Sequence, residues 1–229
     1  MFDTEKGVLM DRLEKKIKLV ILDFDGTMGD TQQLILDTFQ ATIEALHLPL
    51  RSREACASTI GLPLVQAFIS LFNIDKAEAE KCRDTYHNIF DQLNVKGAVV
   101  PFPCVIETIK ELSARGYIVT IASSRGRGSL ENYVAEFDLK NDIQFLLGVD
   151  DTVKHKPDSE PVLKTLTHFG IKADEAIIVG DTKFDILMGV RAGSLTCGVD
   201  YGNGTRDELK AAGATYIISS FSDLLKLVG

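Results

Sequence analysis

The segment LVILDFDGT, residues 19–27, constrains this chain most, because a continuous apolar run ends directly in two carboxylates. The run Leu19–Leu22 has the character of a fully buried strand. Side chains alternate along a strand, so Asp23 and Asp25 should point to one side and Phe24 to the other. Like charges this close to a buried strand are costly unless a cation or a reaction uses them. We therefore expect a functional site at the end of the first strand.

Short apolar runs alternate with amphipathic segments along most of the chain. This alternation predicts right-handed β-α-β units and an α/β fold, a doubly wound parallel sheet with a Rossmann-like core. Gly116, Gly170 and Gly193 stand where helices should end. The predicted strands are Lys18–Asp23, Tyr117–Ala122, Phe145–Val149, Ala176–Gly180, Leu195–Val199 and Thr215–Ile218, and the predicted helices include Val105–Arg115, Pro161–Phe169 and Asp185–Ala192.

The segment that follows the first strand departs from this alternation. From about residue 31 to residue 94 no strand is predicted, and apolar residues such as Leu34, Ile35 and Phe39 recur at helical spacing. Asp75 and Glu78 have the spacing of a capping box at the start of a further helix. We expect a helical bundle at residues 31–97, inserted into an α/β core made of residues 1–30 and 98–229.

Composition limits the class of protein. The 229 residues are 45% hydrophobic and 25% charged, as in ordinary soluble globular proteins, and the net charge of −8 argues against a nucleic-acid partner. The four cysteines are scattered and form no CxxC pair, which indicates reduced thiols. The N-terminal residues do not resemble a signal peptide, and no apolar run has the length of a membrane span. We expect a cytoplasmic protein, monomeric or homodimeric, with no membrane partner.

Chemically useful side chains follow the predicted strands in turn. In an open parallel sheet, ligands bind beyond the carboxyl ends of the strands, so these side chains should meet at one edge. They are Asp23, Asp25 and Thr27 after the first strand, Ser123, Ser124 and Arg125 after the second, Lys156 after the third, and Asp181 and Asp185 after the fourth.

Four carboxylates in one place would repel one another unless a cation lies between them. A hard divalent cation prefers oxygen ligands, and Mg²⁺ is the natural choice. A metal together with Lys156 and Ser123 would cradle a phosphoryl group, whose transfer depends mainly on positioning and charge neutralisation. Asp23 is then placed to attack phosphorus and form an aspartyl phosphate, while Asp25 exchanges protons with the leaving oxygen and with water. Gly26 allows the tight turn that would aim backbone amides at the phosphate.

Taken singly, each of these motifs also fits an ordinary structural role. The turn after Asp23 can be stabilised by Asx hydrogen bonds, and Ser123 can cap a helix. Lys156 can lie in a solvated loop, and Asp185 can merely begin a helix. The functional interpretation depends on the four motifs following successive strands.

The same motifs, in the same order, resemble the haloacid dehalogenase superfamily of phosphohydrolases. They are Asp23-Phe24-Asp25-Gly26-Thr27, Ser123, Lys156-Pro157 with Glu160 and Pro161, and Gly180-Asp181-Thr182 with Asp185. Within that superfamily the chain is similar to the branch of phosphoglycolate phosphatases and pyrophosphatases. The helical insert resembles the small cap domain of that branch, and the C-terminal segment is also similar.

The resemblance implies a role for each matching residue. Asp23 would be the nucleophile and a metal ligand, and Asp25 the general acid/base with its backbone carbonyl on the metal. Asp181 would bind Mg²⁺, and Asp185 would support it directly or through water. The candidate sets are Asp23, Asp25 and Lys156 for catalysis, Gly26, Thr27, Ser123, Ser124, Lys156 and Gly61 for phosphate or substrate, and Asp23, Asp25, Asp181 and Asp185 for metal.

The cap would close over the site and exclude water, and its loop at residues 59–64, around Gly61, would contact the substrate. Some positions depart from the family pattern: Met28 replaces the common Leu, Cys104 stands where glycine is usual, and Ser124-Arg125 replaces Asn-Lys. Arg125 either adds a cation near the phosphate or faces solvent. These departures leave the substrate open more than the chemistry.

Several activities remain compatible with the motifs. The expected one is a Mg²⁺-dependent phosphatase for a small phosphorylated metabolite, most similar to phosphoglycolate phosphatase. A sugar-phosphate mutase and a pyrophosphatase use the same core. A signalling receiver domain shares the acidic cluster but is about half this length, and a non-catalytic phosphate-binding module would not need the complete acid set.

Overall fold

Strand β1, Leu19–Leu22, lies at the centre of a six-stranded parallel sheet in the computed structural model, which describes residues 17–229. The strand order is β5-β4-β1-β6-β7-β8, with β4 at Ile118–Ala122, β5 at Ile143–Leu147, β6 at Ala176–Gly180, β7 at Leu195–Val199 and β8 at Tyr216–Ile218. Leu22 pairs with Ile121 on one side and with Val179 on the other. The predicted doubly wound α/β fold is confirmed.

Both faces of the sheet are covered, which explains the unbroken apolar run in β1. Val20 and Leu22 belong to one buried cluster, whereas Leu19 and Ile21 belong to a second cluster on the opposite face. The helices are α1 (Gln32–Ala45), α2 (Arg53–Ala57), α3 (Leu64–Phe72), α4 (Lys76–Leu93), α5 (Val105–Ala114), α6 (Arg127–Glu136), α7 (Glu160–Phe169), α8 (Lys183–Ala192), α9 (Arg206–Ala211) and α10 (Leu224–Val228).

Most predicted elements agree with the structure to within one or two residues, and β6 and β7 agree fully. The predicted strand Phe145–Val149 is wrong at both ends, because β5 begins at Ile143 and ends at Leu147. It stops there because the backbone N–H of Gly148 donates to the Asp151 carboxylate and starts a 3₁₀ turn. Helix α6 has no counterpart in the prediction, since its sequence, RGSLENYVAE, is weakly amphipathic.

Helices α1 to α4 pack on one another around an apolar cluster of their own. Phe68, on α3, is fully buried there, with its ring centroid 5.3 Å from that of Phe39 and 6.3 Å from that of Tyr86. The chain enters and leaves this helical insert through an antiparallel pair of two-residue strands, β2 (Gly29–Asp30) and β3 (Val100–Pro101). The domain boundaries at residues 31 and 97 stay a prediction.

The expectation about membrane-spanning segments can be compared with the helices of the structure. Among residues 17–229, none of the helices combines the length and the apolar character that crossing a membrane requires.

The aromatic cluster of the insert predicts a stability effect. Phe68→Ala would remove a fully buried ring and leave a cavity among Phe39, Phe72 and Tyr86. We expect the free energy of unfolding to fall by about 3–5 kcal/mol, measured by urea denaturation followed by circular dichroism. Leu50→Ala is the control, because Leu50 is 81% exposed and should change stability little. Equal stability of both variants would contradict this packing.

Candidate active site

The site begins where β1 ends. The backbone N–H of Asp23 donates to the Val179 carbonyl at 2.9 Å, so Asp23 still continues the sheet, and its side chain is buried. Phe24 points into the core and stacks on Tyr133, with ring centroids 4.9 Å apart. The chain then turns through Gly26 at φ +78°, a conformation that glycine adopts without strain.

Three buried carboxylates meet at this edge of the sheet. One oxygen each from Asp23, Asp181 and Asp185 lies within 4.8 Å of the other two. The ammonium of Lys156 is also buried, 2.7 Å from Oδ1 of Asp23 and 2.5 Å from Oδ1 of Asp185. The prediction that Lys156 comes close to the acids is therefore met in the geometry, and the solvated-loop interpretation of this lysine is wrong because it is 2% exposed.

The three carboxylates of this group carry more negative charge than Lys156 alone can balance. Burial raises the pKa of Asp23 to about 7, since the neighbouring Lys156 offsets only part of the desolvation, and it raises the pKa of Asp181 well above its ordinary value. The pKa of Lys156 is raised as well, because Asp185 and Asp23 outweigh the burial that works against its charged form. Within residues 17–229, Oδ1 of Asp23 accepts no hydrogen bond of good geometry, although the Lys156 ammonium lies 2.7 Å away. Buried oxygen ligands that one lysine cannot neutralise fit a divalent cation.

Asp181 is oriented by a loop that the sequence interpretation missed. Its Oδ2 accepts hydrogen bonds from the backbone N–H of Asn203 at 2.7 Å and from Nδ2 of the same residue at 2.8 Å. The hydroxyl of Thr27 lies 3.3 Å from Oδ1, and a Cβ on Gly26 would collide with Oδ2. Asn203 follows the carboxyl end of β7, so the rule that assigned the other strand ends would have found it had it been applied there.

Asp185 is held from the start of α8. Its Oδ2 accepts hydrogen bonds from the backbone N–H of Thr182 at 3.0 Å and from the Thr182 hydroxyl at 2.7 Å, as in a capping box. Its other oxygen faces Lys156. Asp185 therefore caps its helix and also belongs to the acidic cluster. Its role in holding a metal stays a prediction.

Asp25 is placed differently from the other three acids. Its carboxylate forms a two-point ion pair with Arg125, from Nη2 to Oδ1 at 2.6 Å and from Nε to Oδ2 at 3.2 Å. The acidic cluster is made of Asp23, Asp181 and Asp185 and does not include this carboxylate. The contact of the Asp25 backbone carbonyl with a metal stays a prediction. Arg125 does not face solvent, since its side chain is only 10% exposed.

The two serines after β4 differ in their surroundings. Ser123 is buried, and its Oγ lies 3.4 Å from the backbone N–H of Arg125. The Ser124 hydroxyl instead donates to the carbonyl of Gly61 in the helical insert, at 2.7 Å. Gly61 has φ +98°, and a Cβ there would come within 3.0 Å of the Thr182 hydroxyl. The structure thus brings the predicted loop around Gly61 against the edge that carries the acids.

This arrangement matches a known family. Residues 20–199 match the model of the haloacid dehalogenase-like hydrolases. The chain belongs to that family. This hydrolase is 32% identical over 210 residues to the "Probable phosphatase IndB" of Dickeya dadantii, and the alignment covers 90% of this chain and 91% of that protein. It is also 32% identical over 218 residues to the pyrophosphatase PpaX of Halalkalibacterium halodurans, covering 93% and 98% of the two chains.

Solved structures agree with this assignment of the hydrolase. A Bacteroides fragilis protein, named as a haloacid dehalogenase-like hydrolase, superposes with a TM-score of 0.86 at 25% identity, over 91% of this chain and all of that one. The haloacid dehalogenase-like family protein SP0104 of Streptococcus pneumoniae superposes with a TM-score of 0.81 at 21% identity, which supports the fold. The prediction of an enzyme of this family, with phosphatases among its relatives, is confirmed.

The raised pKa of Asp23 in this hydrolase predicts a pH-dependent stability difference. An acid whose folded-state pKa is raised from 3.8 to about 7 makes folding less favourable as the pH rises through that window, because the folded chain resists ionising it. In the presence of a chelator, Asp23→Asn should therefore be more stable than the wild type at pH 8, and the difference should shrink towards pH 4. Urea unfolding of both proteins across this range measures it. A constant difference at all pH values would contradict the assignment.

Proposed function

We propose that this hydrolase is a Mg²⁺-dependent phosphatase that acts on a small phosphorylated metabolite through an aspartyl-phosphate intermediate. The observation that carries the proposal is the gathering of Asp23, Asp181, Asp185 and Lys156 in one buried group at the carboxyl edge of the sheet. A cation-binding acidic group beside a buried ammonium suits a phosphoryl group, which needs positive charge on several oxygens at once.

The metal would be held by the carboxylates of Asp23, Asp181 and Asp185, with the Asp25 backbone carbonyl as a further ligand. Bound there, Mg²⁺ would supply positive charge to the phosphoryl oxygens and to the attacking carboxylate. The hydrogen bonds from Asn203 and from Thr182 orient Oδ2 of Asp181 and of Asp185. Each Oδ1 has one neighbour, the Thr27 hydroxyl for Asp181 and Lys156 for Asp185, and keeps a second lone-pair direction for the ligand role.

The phosphoryl group would be bound by groups that converge on Asp23. Lys156 lies 2.7 Å from Oδ1 of Asp23, so its ammonium can contact a phosphoryl oxygen as that group is transferred. The Ser123 hydroxyl is a further donor. The predicted donation from the backbone at Gly26 and Thr27 is not met in the geometry, because these N–H groups donate to the carbonyls of Gly29 and Phe24 within the turn. Ser124 would take part once its hydroxyl leaves the Gly61 carbonyl.

In the first step, a carboxylate oxygen of Asp23 attacks phosphorus in line with the leaving oxygen. The new O–P bond forms as the bond from phosphorus to the leaving oxygen breaks. Asp25 enters this step in its protonated form and gives its proton to that oxygen, becoming a carboxylate. In the second step, a water oxygen attacks the phosphorus of the aspartyl phosphate while Asp25 accepts a proton from the water. The Asp23 carboxylate is restored, inorganic phosphate leaves, and Asp25 is again protonated.

The substrate proposed is a small phosphorylated metabolite, because residues 58–64 of the insert carry small hydroxyl and apolar side chains. Phosphoglycolate is the first candidate, because the motifs resemble those of phosphoglycolate phosphatases. Inorganic pyrophosphate is the second candidate, since a relative with 32% identity over nearly the whole chain is a pyrophosphatase. A panel of phosphoglycolate, pyrophosphate, sugar phosphates and nucleotides, with products analysed, separates these candidates. Isomerised sugar phosphate without net phosphate release would favour a mutase instead.

Metal dependence is the first expected outcome. Activity should require Mg²⁺, and Ca²⁺ should inhibit, because Ca²⁺ takes more ligands at longer distances and disturbs in-line geometry. The measurement is phosphate release after chelation and after readdition of each ion. Full activity in the exhaustively chelated protein would refute the metal role.

The two carboxylates of the DFDGT motif should fail in different ways. Asp23→Asn should abolish turnover and phosphate trapping on the protein in rapid quench. Asp25→Asn should lower the activity on an alkyl phosphate by about 10² to 10⁴-fold. Its activity on an aryl phosphate, whose leaving group needs no proton, should fall less. The aspartyl phosphate should also accumulate in Asp25→Asn with the aryl substrate, because its hydrolysis still needs the base. Equal losses on both substrates, with nothing trapped, would reduce Asp25 to an electrostatic role.

A further inference from the structure

Arg125 is a charged side chain beside the site that has no role in the two proposed chemical steps. Its guanidinium is 10% exposed and the carboxylate of Asp25 is 14% exposed, so both charges are largely removed from water. The pair is held at two points, 2.6 Å and 3.2 Å long. Arg125 lies two residues after Ser123, directly beyond the carboxyl end of β4.

The rest of the guanidinium is fixed as firmly as the fork that faces Asp25. Nη1 donates to the Ser129 hydroxyl at 3.2 Å. The cation lies 5.3 Å from the ring centroid of Tyr133 and 4.9 Å from that of Phe90, within cation–π range. Tyr133 belongs to α6 of the core, whereas Phe90 belongs to α4 of the helical insert. One wall of the guanidinium site is therefore supplied by the insert.

Stability alone is a weak explanation for this arrangement. A buried ion pair often contributes little net stability, because desolvation of both charges offsets their attraction. What a guanidinium fork does supply is orientation, since two parallel N–H···O contacts fix the plane of a carboxylate. Each oxygen of Asp25 keeps a second lone-pair direction, so the fork can hold the carboxylate while one oxygen faces a substrate.

We propose that Arg125 is a positioning residue for Asp25, and that Phe90 completes this support when the helical insert packs against the core. The inference rests on the proposed function, in which Asp25 exchanges protons with the leaving oxygen and with water. It assigns to the insert a part in holding the acid/base in place, through Phe90 and Arg125, in addition to covering the substrate.

The test compares Arg125→Gln and Arg125→Lys on an alkyl phosphate and on an activated aryl phosphate. A positioning role predicts that kcat/KM, which reports the phosphorylation step, falls at least about tenfold more for the alkyl ester than for the aryl ester, as a fraction of the general acid contribution is lost. Aspartyl phosphate should accumulate with the aryl substrate in rapid quench, and KM for that substrate should fall, because hydrolysis of the intermediate becomes rate-limiting. Arg125→Lys should recover part of the loss. Phe90→Leu should show the same selectivity in weaker form.

Arg127→Gln is the matched control, because Arg127 pairs with Asp151 outside the acidic group and should lose nothing selectively. A double mutant sharpens the assignment. If Arg125 acts through Asp25, adding Arg125→Gln to Asp25→Asn should cost little further activity on the alkyl ester.

Equal losses of Arg125→Gln on both esters, or full additivity with Asp25→Asn, would overturn the positioning role while leaving the proposed function intact. If Arg125→Gln does not fold, as judged by circular dichroism, Phe90→Leu decides by the same selectivity. Failure of the proposed function has a different signature, namely a wild-type enzyme that traps no phosphate and an Asp25→Asn variant without selectivity.

Discussion

The confinement of three carboxylates around one buried ammonium is the constraint on which the rest of the site depends. Asp23, Asp181 and Asp185 come from the ends of β1 and β6 and from the start of α8, and only a parallel order that makes β1 and β6 neighbours brings them together. Lys156 lies between two of them and offsets part of their repulsion. The remaining imbalance, visible in the raised pKa values of Asp23 and Asp181, is what makes the group suited to a divalent cation.

Close backbone approach is the second requirement, and it explains two of the glycines. At Gly26 a side chain would occupy the space of Asp181 and Asn203, and at Gly180 it would occupy the space of Asp185. The acids are therefore packed against backbone with no side chain between. This arrangement places the carboxylates in fixed positions, which matters in a reaction whose acceleration comes mainly from geometry and charge.

The helical insert contacts the site through residues that lie beside its acidic side chains. The Ser124 hydroxyl donates to Gly61 of the insert, and Phe90 of the insert covers Arg125, which holds Asp25. Gln32, the first residue of α1, donates to Asn203 at 2.9 Å, and Asn203 in turn donates to Asp181. A shift of the insert would thus reach the surroundings of both Asp25 and Asp181. This is the physical basis for the proposal that the insert takes part in positioning Asp25.

The sequence by itself determined the sheet, a helical segment after the first strand and the presence of acids at the strand ends, because these depend on local patterns. A buried strand is recognised by an unbroken apolar run, and a parallel sheet by strand-like segments that alternate with helix-like segments. Ligands of such a sheet bind at the carboxyl ends of its strands. Only the tertiary structure decided what Arg125, Asn203 and Phe90 do. Arg125 lies 100 residues from Asp25 and 35 residues from Phe90, and Asn203 lies 22 residues from Asp181. It also decided that Asp25 pairs with Arg125 while Asp23 joins the acidic group. The alternation of side chains cannot distinguish those two environments, because both carboxylates leave the strand on the same side and only the packed neighbours differ.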